Sequence, residues 1–328
     1  MPLFTVVTAT KDRPDELRAA LRSTLAQDLA DFEHLVVDDA SETGAASRVA
    51  GELGDPRVRV LRLAESRGPG GARNAAIEEA RGALVAVLDD DDTMLPGRLR
   101  LTAAAFAAAP GRALVGGAYE VIDEEGRVQA TVRPPADERT LRALLPASNP
   151  FCHSTVAVRA EVLRALGGYR EAFRFAHDYD MILRAAERGG VACVPEPLAG
   201  YRFHLRNISA GRSALQGAFA EAARRCAARR SAGLPEGLEA EIAAIPRDAP
   251  RASERKARGR VHFQMGEWMF RDGRMAGARA HLVRALRADP LRPLCLGLYL
   301  AAASPRWLRR ALSPVVRPLV ARRYPRWR

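Results

Sequence analysis

The sequence predicts an α/β chain: a mixed sheet flanked by helices, followed by a helical, Arg-rich C-terminal extension. Three observations carry this. Short apolar runs alternate with amphipathic stretches through residues 1–110, the pattern of strand–helix units that build a parallel sheet. A hairpin pattern between Leu114 and Val132 then interrupts the alternation, so the sheet becomes mixed. From about Ser209 onward the chain is Ala- and Arg-rich and reads as helix. The expected organisation is a domain over 1–210, made of halves 1–110 and 111–210, and a helical basic region over 211–328.

Leu3 to Thr8 is a β-branched run and reads as the first strand. Asp12 and Pro14 open a helix with Leu17, Leu21 and Leu25 on one stripe. His34 to Val37 is a second buried strand that runs into Asp38, Asp39 and Ser41; a weaker helix and a third strand, Val58 to Leu63, follow. Arg67 to Asn74, RGPGGARN, is a Gly-rich turn leading into a helix over Ala75 to Ala80. It is neither a Walker loop nor GxGxxG, since no Gly-Lys-Ser/Thr follows and Arg73 stands where the last Gly belongs. Ala83 to Leu88 is the central strand.

Beyond Pro110, Leu114 to Val121 and Arg127 to Val132 flank the turn Asp123 to Gly126 as a hairpin. Cys152 to Val158 reads as a strand, Glu161 to Leu166 as a short helix closed by Gly167 and Gly168, and Asp178 to Glu187 as an amphipathic helix. Val191 to Val194 and Leu198 to His204 read as two further strands. Ile245 to Ala252 is a linker, and Gly266 to Pro290 a helix-turn-helix with Gly273 in the turn and Ala278, Leu282 and Leu286 on one face. It is similar to one tetratricopeptide repeat, but one copy makes no solenoid.

At 328 residues and 48% apolar composition the chain can bury a substantial core. The net charge of +12 is carried almost wholly by Arg, since lysine occurs only at Lys11 and Lys256. The four cysteines, Cys152, Cys193, Cys226 and Cys295, are widely spaced, which argues for reduced buried thiols in a cytosolic protein and against a zinc site or disulfide framework. The N-terminus enters a strand pattern directly, without the features of a signal peptide. The longest apolar stretch, Leu294 to Ala303, is about half of a membrane span.

The central strand ends in Asp89, Asp90, Asp91 and Asp92. Adjacent carboxylates repel, and a shared hard divalent cation, Mg2+ or Mn2+, would let several stay ionised. The carboxyl ends of strands in an open α/β sheet also form the ligand crevice. The alternative is an acidic turn in which one Asp caps the helix beginning near Pro96.

Taken together, five blocks resemble glycosyltransferase family 2, the largely inverting nucleotide-sugar transferases with the Rossmann-like GT-A fold: Thr8 to Pro14 with Val36 to Ser41, Arg67-Gly68 with Ala72 to Asn74, Leu88 to Asp92, His177 to Asp180, and Tyr201 to His204. The resemblance spans roughly residues 3–210. It implies that Thr8, Thr10 and Asp39 hold the nucleotide, that Asp90 lies near the ribose and Asp91 on a metal bridging the diphosphate, and that Arg73 reaches the diphosphate. The register within Asp89 to Asp92 stays open by one residue. Lys11 stands where the family usually has Asn or Tyr. His204 is implied as a further metal ligand, with His153 lining the pocket and His177 beside the base. Asp178 matches the catalytic base, which would take the acceptor hydroxyl proton in a single inverting displacement; otherwise Asp178 is a helix cap and Asp180 an exposed first-turn acid.

The resemblance implies a nucleoside-diphosphate sugar donor, a glycan or lipid-linked acceptor, Mn2+ or Mg2+ as cofactor, and work in cell-surface glycan or polysaccharide synthesis. Acceptor recognition is expected from loops at Arg133 to Asn149 and Phe203 to Gly211. Two other readings compete: a haloacid-dehalogenase-type phosphatase using Asp89 and Asp91, against which no lysine lies between that motif and Lys256, and a non-catalytic carbohydrate-binding scaffold. The segment Pro305 to Arg328 interleaves Trp307, Leu308, Leu312, Tyr324 and Trp327 with eight Arg, which suits peripheral association with an anionic membrane from the cytoplasmic side. A packed helix with a solvated basic face is the alternative, and nucleic acid is the less favoured anionic partner.

Overall fold

The computed structural model describes residues 1–203, 213–246, 253–290 and 293–304. Within these the chain forms two compact units. The first comprises Met1–Tyr119, Arg133–Tyr201 and Gly217–Ile245; the second comprises Glu120–Val132 and the described parts of 202–216 and 246–328. Where one boundary was expected near residue 210, the units interleave along the chain.

Strands β1 (Phe4–Thr10), β2 (Phe32–Asp38), β3 (Val58–Arg62) and β4 (Leu84–Val87) alternate with helices α1 (Pro14–Leu25), α2 (Ala45–Leu53) and α3 (Gly68–Glu79). The four strands pair in parallel in the order β3-β2-β1-β4, as the repeated strand–helix pattern requires. Short β5 (Thr93–Met94) and helix α4 (Arg98–Ala107) follow, then β6 (Arg112–Ile122), β7 (Val128–Val132), α5 (Glu138–Leu144), β8 (Ala157–Arg159), α6 (Ala160–Ala165), α7 (His177–Ala186) and β9 (Gly190–Arg202). The sheet continues β4-β8-β6-β9-β5, with β8 antiparallel to both β4 and β6. It is therefore a mixed sheet flanked by helices.

The first unit's core follows from the apolar periods. Pro14 is tolerated in the first turn of α1, where its missing N–H is not needed, and Leu17 and Leu21 pack with Val36, Ala46 and Val49. Phe4, Val6, Leu84, Ala86 and Leu88 form the other face with Phe32, Leu99 and Phe106. Register brings Thr10 beside Asp38 and Val7 beside Val87, so the carboxyl ends of β1, β2 and β4 share one edge.

Four sequence expectations shift. Helix α3 begins at Gly68 rather than Ala75, because the Asp39 carboxylate accepts from the Ser66 hydroxyl and from the main-chain N–H groups of Arg67 and Gly68. The two expected strands after Val191 are one strand, β9, which runs through Pro195 and Pro197 where it is solvent-facing and no N–H is required. The strand expected over Cys152 to Val158 is a 3-10 turn, His153–Thr155, followed by β8, because the Thr155 and Val156 N–H groups fold back onto the Cys152 and His153 carbonyls. Arg133 to Asn149 is no plain loop: Asp137 caps α5, accepting from the Thr140 N–H, and Leu141 and Leu144 bury its inner face.

After β9 come α8 (Ser213–Ser231), α9 (Leu238–Ala243), α10 (Glu254–Arg271), α11 (Met275–Ala288) and α12 (Pro293–Ala303). In the second unit α10 and α11 form the expected helix pair, turning at Gly273 with φ +79°. A Cβ on Gly266 would lie 2.8 Å from Leu282 Cγ, so glycine sets how closely the two helices approach. Ala278, Leu282 and Ala285 are buried, with Leu286 only half-buried. All four cysteines are buried, and none is in a disulfide. No helix among the described residues is long and apolar enough to cross a membrane.

Candidate active site

The four aspartates after β4 fan out to different partners. Asp89 Oδ1 accepts from Arg73 Nη2 at 2.6 Å and lies 3.4 Å from His153 Nδ1. Burial works against its ionisation, but Arg73 above all outweighs that and holds the carboxyl well below the usual range. Asp92 points into the core, where its Oδ2 accepts from Ser154 Oγ at 2.5 Å, and the same hydroxyl accepts from the Asp89 N–H. Asp90 accepts from Thr10 Oγ1 at 2.8 Å and from Arg13 Nη1 at 3.1 Å, and the same guanidinium nitrogen lies 3.3 Å from Asp91 Oδ2. Burial raises the Asp90 pKa in spite of these donors. Asp91 is pushed up to about 7 by burial and by the charges of Asp89 and Asp90.

A second group of side chains meets this edge from α3 and α7. Arg73 is 5% exposed; it donates to Asp89, to the Pro69 carbonyl at 3.0 Å and to His177 Nε2 at 3.0 Å. His177 opens α7 after Ala176, whose φ of +53° turns the chain sharply into the helix. The rings of His153, Tyr169 and His177 meet edge to face, with centroids 5.8 to 6.0 Å apart. Asn74, next to Arg73, brackets Tyr169, donating to its carbonyl and accepting from its N–H. A Cβ on the preceding Gly168, at φ +71°, would lie 2.3 Å from Asn74 Oδ1, so glycine is required there.

Asp178 follows in the first turn of α7. Asn149 Nδ2 donates to its Oδ2 at 3.2 Å, and its Oδ1 makes no hydrogen bond among the described residues. It caps nothing: the cap position is Ala176. Asp180, an exposed first-turn acid in the alternative where Asp178 is only a helix cap, is instead fully buried between Arg184 Nε at 2.8 Å and Arg170 Nη1 at 3.3 Å. Arg184 also donates to the Leu166 and Gly168 carbonyls, so the ion pair ties α7 to the loop after α6.

The structure thus brings Thr10, Asp90, Asp91, Arg73 and Asp178 to one edge and places the other expected residues differently. Thr8 is fully buried; its hydroxyl donates to the Leu88 carbonyl at 2.8 Å and meets His34 Nε2 at 2.9 Å, which leaves it no proton for a ligand. Asp39 is 6% exposed and already accepts three hydrogen bonds from residues 66–68, so in this state it anchors α3. Arg73 is turned onto Asp89 and His177 rather than free to reach a diphosphate. His204 lies outside the described residues, as do Pro305 to Arg328. Sequence reasoning missed Arg13, Ser154, Asn149 and Tyr169 as partners. Arg13 stood inside a quoted motif, but the other three are tied to the site by contacts no local pattern encodes.

Among the described residues no group of three or more His, Cys, Asp or Glu converges as a metal cage. The donor set nevertheless fits a hard divalent cation of the kind bound by one or two carboxylates together with phosphate oxygens. Asp90 and Asp91 are two neighbouring carboxylates whose charge Arg13 only partly offsets.

The mixed sheet flanked by helices matches the GT-A class of folds. The family model described as glycosyl transferase family 2 matches residues 5–167. This chain belongs to glycosyl transferase family 2. It is 36% identical over 226 residues to the succinoglycan biosynthesis protein ExoO of Rhizobium meliloti (strain 1021), covering 65% of this chain and 63% of that protein. The chain therefore spans somewhat under two thirds of that relative's length. Its fold is similar to the crystal structure of S. aureus TarS 1-349, with TM-score 0.56 and 18% identity over 95% of this chain and 92% of the other. It is also similar to the mannosyltransferase PcManGT from Pyrobaculum calidifontis in complex with GDP-Man and Mn2+, with TM-score 0.55 and 19% identity over 100% and 88% of the two chains. The family match removes the phosphatase reading, whose nucleophile Asp89 is also locked by Arg73.

Proposed function

We propose that this protein transfers a sugar from a nucleoside-diphosphate sugar to a hydroxyl acceptor, a glycan or a lipid-linked sugar, with inversion at the anomeric carbon, in polysaccharide or cell-surface glycan synthesis. One observation carries the reading: Asp90 and Asp91, only partly neutralised, share an edge with a half-free Asp178 carboxylate on the facing helix. The relative named for succinoglycan biosynthesis and the neighbour bound to GDP-Man and Mn2+ support it.

Asp91, with Asp90 beside it and His204 as a further candidate, would hold Mn2+ or Mg2+. When bound, the cation offsets the negative charge that grows on the departing diphosphate. Thr10 and Arg13 orient the Asp90 and Asp91 carboxylates. Thr8 and Asp39 shape the nucleotide side from behind, through the Leu88 carbonyl and the start of α3. Asp178, with Oδ2 fixed by Asn149, accepts the acceptor hydroxyl proton as the new bond forms.

The test is Asp178→Asn, which keeps the shape and removes the base. Binding of UDP or GDP sugars should persist while transfer falls by about 10²- to 10⁴-fold. A product of retained anomeric configuration, or near-normal turnover, would place the base elsewhere. The basic tail is proposed to hold the protein peripherally on an anionic membrane at the cytoplasmic face; equal liposome binding after truncation at Ser304 would refute that, and binding to RNA or DNA instead would point to nucleic acid.

A further inference from the structure

We propose that His177 is a positioning residue: accepting at Nε2 from Arg73, it ties the first turn of α7, and Asp178 with it, to Asp89 at the end of β4, so that base and donor edge are held as one body. The inference rests on the reading of Asp178 as the base, and reassigns Arg73 from a diphosphate contact to a structural link.

The hydrogen-bond chemistry fixes the state of the ring. A guanidinium has only donors, so His177 Nε2, 3.0 Å from Arg73 Nη1, must accept, and the ring proton sits on Nδ1. That Nδ1 is buried and has no partner among the described residues. Leaving a buried polar atom unpaired is unfavourable, so this tautomer is held against a local cost. The imidazolium is disfavoured too: burial, then the Arg73 charge, pull the His177 pKa down to about 3. The ring is gripped by Tyr169 and His153, while Asn74 brackets the Tyr169 backbone from the residue adjoining Arg73. Arg73 reaches Asp89 with its other terminal nitrogen at 2.6 Å. One guanidinium thus bridges the strand end and the helix start, and a positional error of order 1 Å in a reacting group costs about 10²-fold in rate.

Two measurements test this on the full chain. Long-range 1H–15N spectra at pH 6 to 7, with His177 assigned by its loss in His177→Gln, should show a neutral ring protonated on Nδ1. An Nε2-protonated tautomer or an imidazolium overturns the proposal whatever Asp178 does. Nucleotide release from UDP-glucose, UDP-GlcNAc and GDP-mannose with Mn2+ is then compared across variants. His177→Leu should lower kcat by about 10- to 100-fold with donor KM changed less than about threefold. His177→Gln, whose amide oxygen can accept from Arg73, should recover most of the loss. A loss confined to KM, or equal losses in the two variants, contradicts the proposal. Normal turnover of Asp178→Asn with the tautomer and rescue intact would remove the base assignment and leave the tie standing; without turnover on any donor, the tautomer decides.

Discussion

The two edges of the parallel sheet treat carboxylates in opposite ways. At the amino edge Glu33 is almost buried, yet both its oxygens are filled: Oε1 accepts from Thr5 Oγ1 and the Arg81 N–H, each at 2.8 Å, and Oε2 from Arg59 at 2.7 Å. Burial there is outweighed by these donors, chiefly Arg59, and the Glu33 pKa is lowered. At the carboxyl edge Asp90 and Asp91 share one guanidinium, and both pKa values are raised. The sheet thus carries a saturated carboxylate anchor on one side and, on the other, a pair of carboxyls whose ionisation burial and their neighbouring charges oppose. An anchor needs nothing more; a carboxyl pair whose ionisation is opposed is where a bound cation can gain binding energy.

Substitutions should sharpen the contrast. The largest loss of stability is expected from Asp180→Asn, because removing one member of a fully buried pair leaves Arg184 uncompensated, at a cost of about 3 to 5 kcal/mol; chemical denaturation would read it, and an unchanged midpoint would show the pair to be dispensable. Glu33→Gln should follow at about 1.5 to 3 kcal/mol, the range for a hydrogen-bonded charge, with nucleotide binding unaffected. Coupled loss of stability and of UDP or GDP binding would mean that the amino edge also serves the site.

A smaller and graded effect comes from pH. His34 is buried against Thr8, and burial, then Arg98, pull its pKa from 6.5 to about 3. The unfolded chain takes up that proton below 6.5 and the folded chain does not. Stability should therefore fall as pH drops from about 6.5 towards 3, by about 1.4 kcal/mol per pH unit for one such group. His34→Gln should flatten that slope, and an unchanged slope would exclude the histidine as its source.

Much of this was legible from residue order. The alternation of apolar runs placed β1 to β4, and the run of aspartates marks the end of β4 as the candidate site. Roles within the run were not legible, because adjacent aspartates look alike until long-range partners distinguish them: Arg73 takes Asp89, Ser154 takes Asp92, and Asp90 and Asp91 are left together. From sequence alone Asp39 and Thr8 read as ligand contacts, and Asp180 reads as an exposed first-turn acid where Asp178 is only a helix cap. The sequence shows the side chain but not the loop N–H groups, His34 or Arg184 that already engage it. Proline misled at β9, where an exposed segment lets a strand continue without its donors.

The most direct test of the account is calorimetric titration of Mn2+ with UDP, and with GDP, into the wild-type chain and Asp91→Asn from pH 6 to 8. A carboxyl titrating at about 7 competes with the metal for its lone pairs, so wild-type affinity should rise with pH by up to about tenfold per unit below 7 and level off above it. Asp91→Asn should bind weakly with no such pH dependence and remain folded. Equal, metal-independent nucleotide affinity in the two proteins at every pH would contradict the account.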